Sequence, residues 1–300
     1  MSNTRLSPEY VENKVRSLAR LATLPNIAVK VMELVENPKT SASTLAHFIS
    51  VDQVLAARIL KLANSAYYGF PKEISTLNLA IVVLGFNALR DLVLSISVID
   101  RFSMHEYDEN FEVEQFWRHA LIVGRGARVL AKFLNYPVTG EVFVAGLLHD
   151  IGYPVMLQNF PEDFMCAAEY ANNHGISFHE SENNVLDFTH TQLGGWLAEG
   201  WNLPDKLVRA IRYHHAPEKN HSYQDLVNII HMADLISYTI GEGSGIKNNS
   251  QLPEGEIDER MKMYLPRNGY PLSFYQEKFS QEGEKIDEFL DILKKRELVG

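Results

Sequence analysis

Ala145-Gly146-Leu147-Leu148-His149-Asp150-Ile151-Gly152 is an apolar helix end that carries an imidazole and a carboxylate side by side and stops at a glycine. Burying such a pair among aliphatic side chains is costly unless something compensates the charge. A divalent metal ion is the direct compensator, because a carboxylate can hold two metals through its two oxygens and a neutral imidazole can hold one. Taken alone, the dipeptide is equally well a solvated helix terminus. The balance depends on whether the rest of the chain supplies further donors.

It does, and all of them fall on the C-terminal side. His119 stands between Phe116-Trp117-Arg118 and Ala120-Leu121-Ile122-Val123. His190 opens a helix at Thr189-His190-Thr191-Gln192-Leu193-Gly194, and His214-His215 close the helix that begins near Pro204. Asp234 interrupts Ile229-Ile230-His231-Met232-Ala233-Asp234-Leu235-Ile236. Each alone is more often a satisfied core or surface residue than a ligand. Together they are five imidazoles and two carboxylates in apolar helical surroundings. Neighbouring helical residues point about 100° apart, so His214 and His215 can both ligate only at an irregular helix end, which Pro217 favours. This donor set suits iron, manganese, nickel or zinc better than calcium or magnesium.

The remaining pattern is helical nearly throughout. Val11, Val15, Leu18, Ala19 and Ala22 recur at helix spacing. Leu24-Pro25 resets the chain, Ser43 reads as the N-cap of Leu45–Ser50, and Asp52 as the cap of the next helix. Helices follow over 79–84 and 88–98, separated by Gly85-Phe86-Asn87. Further helices are expected over 112–134, 140–150, 161–174, 177–187, 190–200, 204–215 and 222–241. The composition of 241–255 marks a linker, followed by amphipathic helices over 256–264 and 272–296. No period-two strand pattern and no internal repeat is present.

Composition sets outer limits. With 46% apolar residues the chain has ample core material, and its net charge of −10 is a poor match for nucleic acid, whose binding rests on neutralised phosphates. The single cysteine, Cys166, forms no internal disulfide, fits a reducing cytoplasm and reads as a core thiol. No secretory segment opens the chain. The longest apolar run, Leu77–Leu84, is far short of the roughly 20 residues that span a bilayer, so no membrane partner is expected.

His119, His149-Asp150 and Asp234, in that order and context, resemble the HD superfamily of metal-dependent phosphohydrolases. His190 with Gly194 four residues on, then His214-His215, is similar to the binuclear version seen in HD-GYP phosphodiesterases. The N-terminal half narrows the likeness. Leu24-Pro25, the Asp52 helix, Asn64-Ser65-Ala66 and Ala80-Ile81-Val82-Val83-Leu84-Gly85 resemble the HDOD family, as does Leu197–Pro204 with the His-His pair that follows. The resemblance covers about residues 18–240.

It implies an all-α protein with an N-terminal helical subdomain over 1–110, a metal-binding HD-type subdomain over 111–241, and a linker with C-terminal helices over 242–300. One metal would take His119, His149, Asp150 and Asp234. A second would take His190, His214 and His215 and share Asp150, which makes Asp150 the candidate catalytic residue. One or two divalent transition-metal ions are therefore expected, with iron first by analogy and manganese, nickel or zinc as substitutes. Two such ions would outweigh the two carboxylates and could attract a small phosphorylated ligand.

The departures bear on function. HD-GYP enzymes have a lysine just after His-Asp-Ile-Gly, where this chain has Tyr153, and a glutamate one turn before the first histidine, where it has Gln115. Their Gly-Tyr-Pro lies soon after the His-His pair, where Ala216-Pro217-Glu218-Lys219 stands instead. The expected function is a cytoplasmic bacterial signal-transduction protein with a retained metal centre, acting through a regulatory protein partner. An active phosphohydrolase or phosphodiesterase is the alternative. Arg118, Arg209 and Arg212 could meet a phosphate, though surface ion pairs are the commoner role for such residues.

Overall fold

The computed structural model describes residues 6–21, 25–65, 68–102, 111–136, 140–247, 254–265 and 269–294. Among them the fold is all-α, and the only β pairing is a single antiparallel bridge between Phe111 and Ile246. The helices are α1 (Pro8–Leu21), α2 (Asn26–Glu36), α3 (Ala42–Ser50), α4 (Gln53–Ala63), α5 (Leu77–Leu84), α6 (Phe86–Arg101), α7 (Val113–Phe133), α8 (Gly140–Leu148) and α9 (Gly152–Asn159). They continue as α10 (Pro161–His174), α11 (Phe178–Val185), α12 (His190–Gly200), α13 (Asp205–Tyr213), α14 (Gln224–Thr239), α15 (Glu254–Tyr264), α16 (Leu272–Gly283) and α17 (Ile286–Lys294), with a 3₁₀ turn over Pro217–Lys219.

These helices form two compact units. The larger comprises the described residues of 1–22 and 104–280, the smaller those of 23–103 and 281–300. These units do not coincide with the subdomains 1–110, 111–241 and 242–300 that the resemblance implies. The reason lies in side-chain fit. Gly200 of α12 has no Cβ, and one placed there would stand 2.3 Å from the Ala19 Cβ of α1, so α1 lies against the larger unit. Arg16 pairs with Glu199 at 2.6 Å and Lys14 donates to the Asn159 carbonyl at 2.8 Å, both in the same unit. Beyond 241, Phe279 of α16 fills the space over Gly126 of α7, and Asn228 donates to the Tyr264 carbonyl at 2.8 Å. The C-terminal helices α15 and α16 are thus part of the larger unit's core, whereas α17 packs on α4 in the smaller one.

Several local expectations shift. Ser41, not Ser43, caps α3, accepting the Thr44 N–H at 3.1 Å. Asp52 caps α4 as expected, accepting from Leu55 at 2.9 Å. The helix expected over 272–296 breaks at 284–285 into α16 and α17. Cys166 is half-buried and not a core thiol. Of the Asn64–Pro71 turn, Ala66 and Tyr67 lie outside the described residues.

In the smaller unit α6 is the central helix, buried from Leu89 to Ile99. No single helix among the described residues is long and apolar enough to cross a membrane, and only the pair α5–α6, bent by 116°, reaches that length and composition together.

Two close backbone approaches in the larger unit position the donors. A Cβ on Gly146 of α8 would stand 2.5 Å from the Gly124 Cα of α7. Glycine on both sides lets α7 and α8 nearly touch, which brings His119 beside His149. A Cβ on Gly152 would stand 1.9 Å from the His190 carbonyl oxygen. Gly152 also corrects the opening motif: it does not simply end a helix but begins a new one, α9, with His149-Asp150-Ile151 as the turn between α8 and α9.

Candidate metal centre

Four imidazoles are oriented from behind by acceptors. The Nδ1 of His119 lies 2.9 Å from the Glu242 carbonyl oxygen, that of His149 2.7 Å from the Gly146 carbonyl, and that of His214 2.8 Å from the Ile211 carbonyl. The Nδ1 of His190 lies 2.7 Å from the Glu182 carboxylate. A carbonyl or carboxylate only accepts, so each ring carries its proton on Nδ1 and turns the Nε2 lone pair inward. This is the usual outer-shell arrangement of metal-binding histidines.

The inward nitrogens meet Asp150 in two groups. Its Oδ2 stands 3.3 Å from His149 Nε2 and 3.6 Å from His119 Nε2. Its Oδ1 stands 3.3 Å from His190 Nε2 and 3.3 Å from His214 Nε2. Asp234 closes the first group, with Oδ1 at 3.2 Å from His119 and 3.7 Å from His149. His215 completes the second, clustering with Asp150, His190 and His214, and its Nδ1 lies 3.9 Å from Asp234 Oδ2. The structure thus brings all seven sequence candidates together. His214 and His215 point into one site because α13 ends at Tyr213, leaving both in a turn instead of a regular helix.

The residues fit a bound cation. Asp150 Oδ1, both Asp234 oxygens and the Nε2 atoms of His190 and His214 are buried without a hydrogen-bond partner, a costly state for that many polar atoms. The Nε2 atoms of His119 and His149 face each other at 3.3 Å. Two nitrogens bound at about 2.1 Å to one tetrahedral ion stand about 3.4 Å apart.

Without a cation, protons must balance the charge. Burial lowers the His149 imidazole, but Asp150 and Asp234 outweigh it and hold it at about 10. Burial likewise opposes His190, which Glu182 and Asp150 hold at about 9. Burial pushes the carboxyls of Asp150 and Asp234 up, and the surrounding imidazoles more than reverse this, so both remain ionised. His214 and His215 go the other way: burial and the neighbouring imidazoles keep them neutral.

Sequence reading missed Glu182. It is fully buried, accepts the His190 backbone N–H at 2.8 Å as well as the ring proton, and also meets His179 Nδ1 at 3.3 Å. Burial raises its carboxyl, and His190 and His179 bring it below its ordinary value. His179 stacks on His215, with ring centroids 4.4 Å apart. Only an acidic residue eight positions before His190 in an otherwise polar helix hinted at this. His231 donates from Nδ1 to the His214 carbonyl at 2.6 Å, supporting the turn that carries the His-His pair. Tyr153 stacks on His190 at 4.0 Å, and Gln115 donates to Glu242 at 3.2 Å. Arg118, Arg209 and Arg212 are engaged with Glu242, Asp205 and Glu199 at 2.8, 2.7 and 2.8 Å.

The model of the HDOD domain matches residues 21–217, more than half of the sequence. The chain belongs to the HDOD family. Its fold is that of an HDOD domain protein of unknown function from Geobacter sulfurreducens, with a TM-score of 0.73 at 23% identity over 94% of this chain and 97% of that one. A protein of Shewanella amazonensis SB2B whose name suggests a phosphohydrolase matches with a TM-score of 0.72 at 24% identity, covering 93% and 97%. One from Marinobacter aquaeolei VT8 whose name suggests signal transduction matches with a TM-score of 0.74 at 20% identity, covering 96% and 67%. An uncharacterized protein of Treponema pallidum (strain Nichols) is 29% identical over 74% of this chain, which spans only 44% of that relative's length. The HDOD match ends at Pro217, so Asp234 and the Glu242 carbonyl that orients His119 lie beyond it.

Proposed function

We propose that this HDOD protein is a cytoplasmic bacterial regulatory module whose larger unit holds two divalent transition-metal ions, binds a small phosphorylated ligand and passes its state to a protein partner. The observation that carries the reading is Asp150, buried between two imidazole pairs with one oxygen facing each at 3.3 Å. His119, His149, Asp150 and Asp234 would hold one ion, and His190, His214, His215 and Asp150 the other. Iron is the preferred metal, with manganese, nickel or zinc as alternatives. Ions held there would supply Lewis-acid polarisation and acidify water. The chain's own residues fix the donor geometry, exclude bulk solvent from the carboxylates and keep the ring protons on the outward nitrogens.

The regulatory reading is preferred to hydrolysis because of what stands beside the donors. In place of the lysine of the HD-GYP pattern, Tyr153 presents a phenol that burial keeps neutral, with its ring stacked on His190. Gln115 is occupied with Glu242. The complete donor set favours the second reading, an active phosphohydrolase or phosphodiesterase with Asp150 as its catalytic residue.

Elemental analysis of purified protein and of His149→Ala and Asp150→Ala tests the metal centre: the wild type retains metal, His149→Ala loses the ion on its side of Asp150, and Asp150→Ala loses both. Turnover of bis(p-nitrophenyl) phosphate by the wild type and not by Asp150→Ala would replace the regulatory reading with the hydrolytic one.

A further inference from the structure

The metal centre opens on one side into a cavity of about 330 Å³ whose wall includes Tyr153, His215, Asp234, Tyr238, Ile257 and Arg260, at the lower end of the size range for small-molecule sites. Most of these residues are already accounted for. His215 and Asp234 belong to the donor set, and Tyr153 and Tyr238 pack on His190 and His119 with centroids 4.0 and 5.3 Å away.

Arg260 is different. It sits on α15, beyond the HDOD match that ends at 217. It is half-buried, and among the described residues no carboxylate pairs with it, although Glu256 precedes it by one turn. The other arginines near the centre, Arg118 and Arg212, are both paired. The one acidic side chain on the wall outside the donor set, Glu180, is committed to the capping box of α11, accepting from the Ser177 N–H at 3.0 Å and hydroxyl at 2.9 Å.

A guanidinium is poorly suited to remain unpaired in a half-apolar cavity, and its planar fork matches oxyanions. We propose that Arg260 is the specificity-determining contact of this cavity, taking a phosphoryl oxygen of an organic phosphate whose apolar body lies between the tyrosines and Ile257. The inference rests on the metal-centre reading and narrows it to phosphate monoesters with an aromatic or similarly flat body.

The test uses the full-length protein loaded with Mn²⁺, with phenyl phosphate and inorganic phosphate as probes in calorimetric titrations, and metal content measured for every sample. Arg260→Ala should weaken phenyl phosphate binding by at least about tenfold, Arg260→Lys should recover part of it, and metal content should not change. Phenyl phosphate should bind more tightly than inorganic phosphate. Equal binding by wild type and Arg260→Ala with metal present in both, or no phenyl phosphate binding by the metal-loaded wild type, would overturn this inference alone. A wild type that retains no metal would overturn the metal-centre reading and this inference with it.

Discussion

Glu182 holds His190 at two points, accepting its backbone N–H at 2.8 Å and its Nδ1–H at 2.7 Å, with both residues out of solvent. A carboxylate behind a ligating imidazole fixes the ring and makes its inner nitrogen a stronger donor. Glu182→Gln keeps the shape and removes the charge. It should lower affinity for the ion at the His190 side by about 10- to 100-fold, read by competition with a chromophoric chelator. Unchanged affinity would reduce Glu182 to a packing residue.

The two faces of Asp150 predict a stoichiometry. Plasma emission analysis should find two metal equivalents in the wild type, one in His119→Ala, one in His214→Ala and none in Asp150→Ala. Loss of all metal in either histidine variant would point to a single ion shared by all donors.

In the metal-free protein, pH acts through the raised imidazoles. His149 and His190 sit at about 10 and about 9 in the fold against an ordinary 6.5. Groups raised on folding stabilise fully below their unfolded value, and the contribution fades as pH climbs through the folded one. The Tm of metal-stripped protein should therefore fall steadily from pH 6.5 toward pH 10. In metal-loaded protein the ions replace those protons, so the fall should be much smaller. Calorimetry at a series of pH values decides this, and a Tm of stripped protein that does not move above pH 7 would contradict it.

Backbone proximity at the centre gives a stability prediction. Gly146→Ala places a methyl 2.5 Å from the Gly124 Cα, an atom of the main chain that cannot swing aside. Overpacking of this kind costs about 1–3 kcal/mol, and here it also parts His119 from His149, so metal should be lost as well. Gly175→Ala has open space around it and strains only a positive φ of 64°. It should cost about 1 kcal/mol and leave metal content intact. Denaturant melts with metal analysis separate the two effects.

How much of this was legible beforehand follows from range. The His-Asp pair, the isolated histidines and Asp234 stood out because each is a polar residue in an apolar helical context, a local signal. The all-α character was legible for the same reason. The packing partners were not: that Gly200 admits Ala19, that Phe279 covers Gly126, or that Glu182 backs His190 depends on residues brought together only by the fold. The α8–α9 break was hidden because Gly152 reads as a stop signal, whereas its role is to let α9 start against the His190 carbonyl. Ser41 and Ser43 were indistinguishable as caps by residue type, and the choice falls on the one whose hydroxyl reaches the Thr44 N–H.

The order in which the units use the chain has an evolutionary consequence. The larger unit takes 1–22 and 104–280 and the smaller 23–103 and 281–300, so the polypeptide passes between them three times. No recombination at one breakpoint can exchange either unit whole, and a gene fragment encoding only one half would leave both cores incomplete. Exchanging the smaller unit whole would require replacing two separate stretches, 23–103 and 281–300, together.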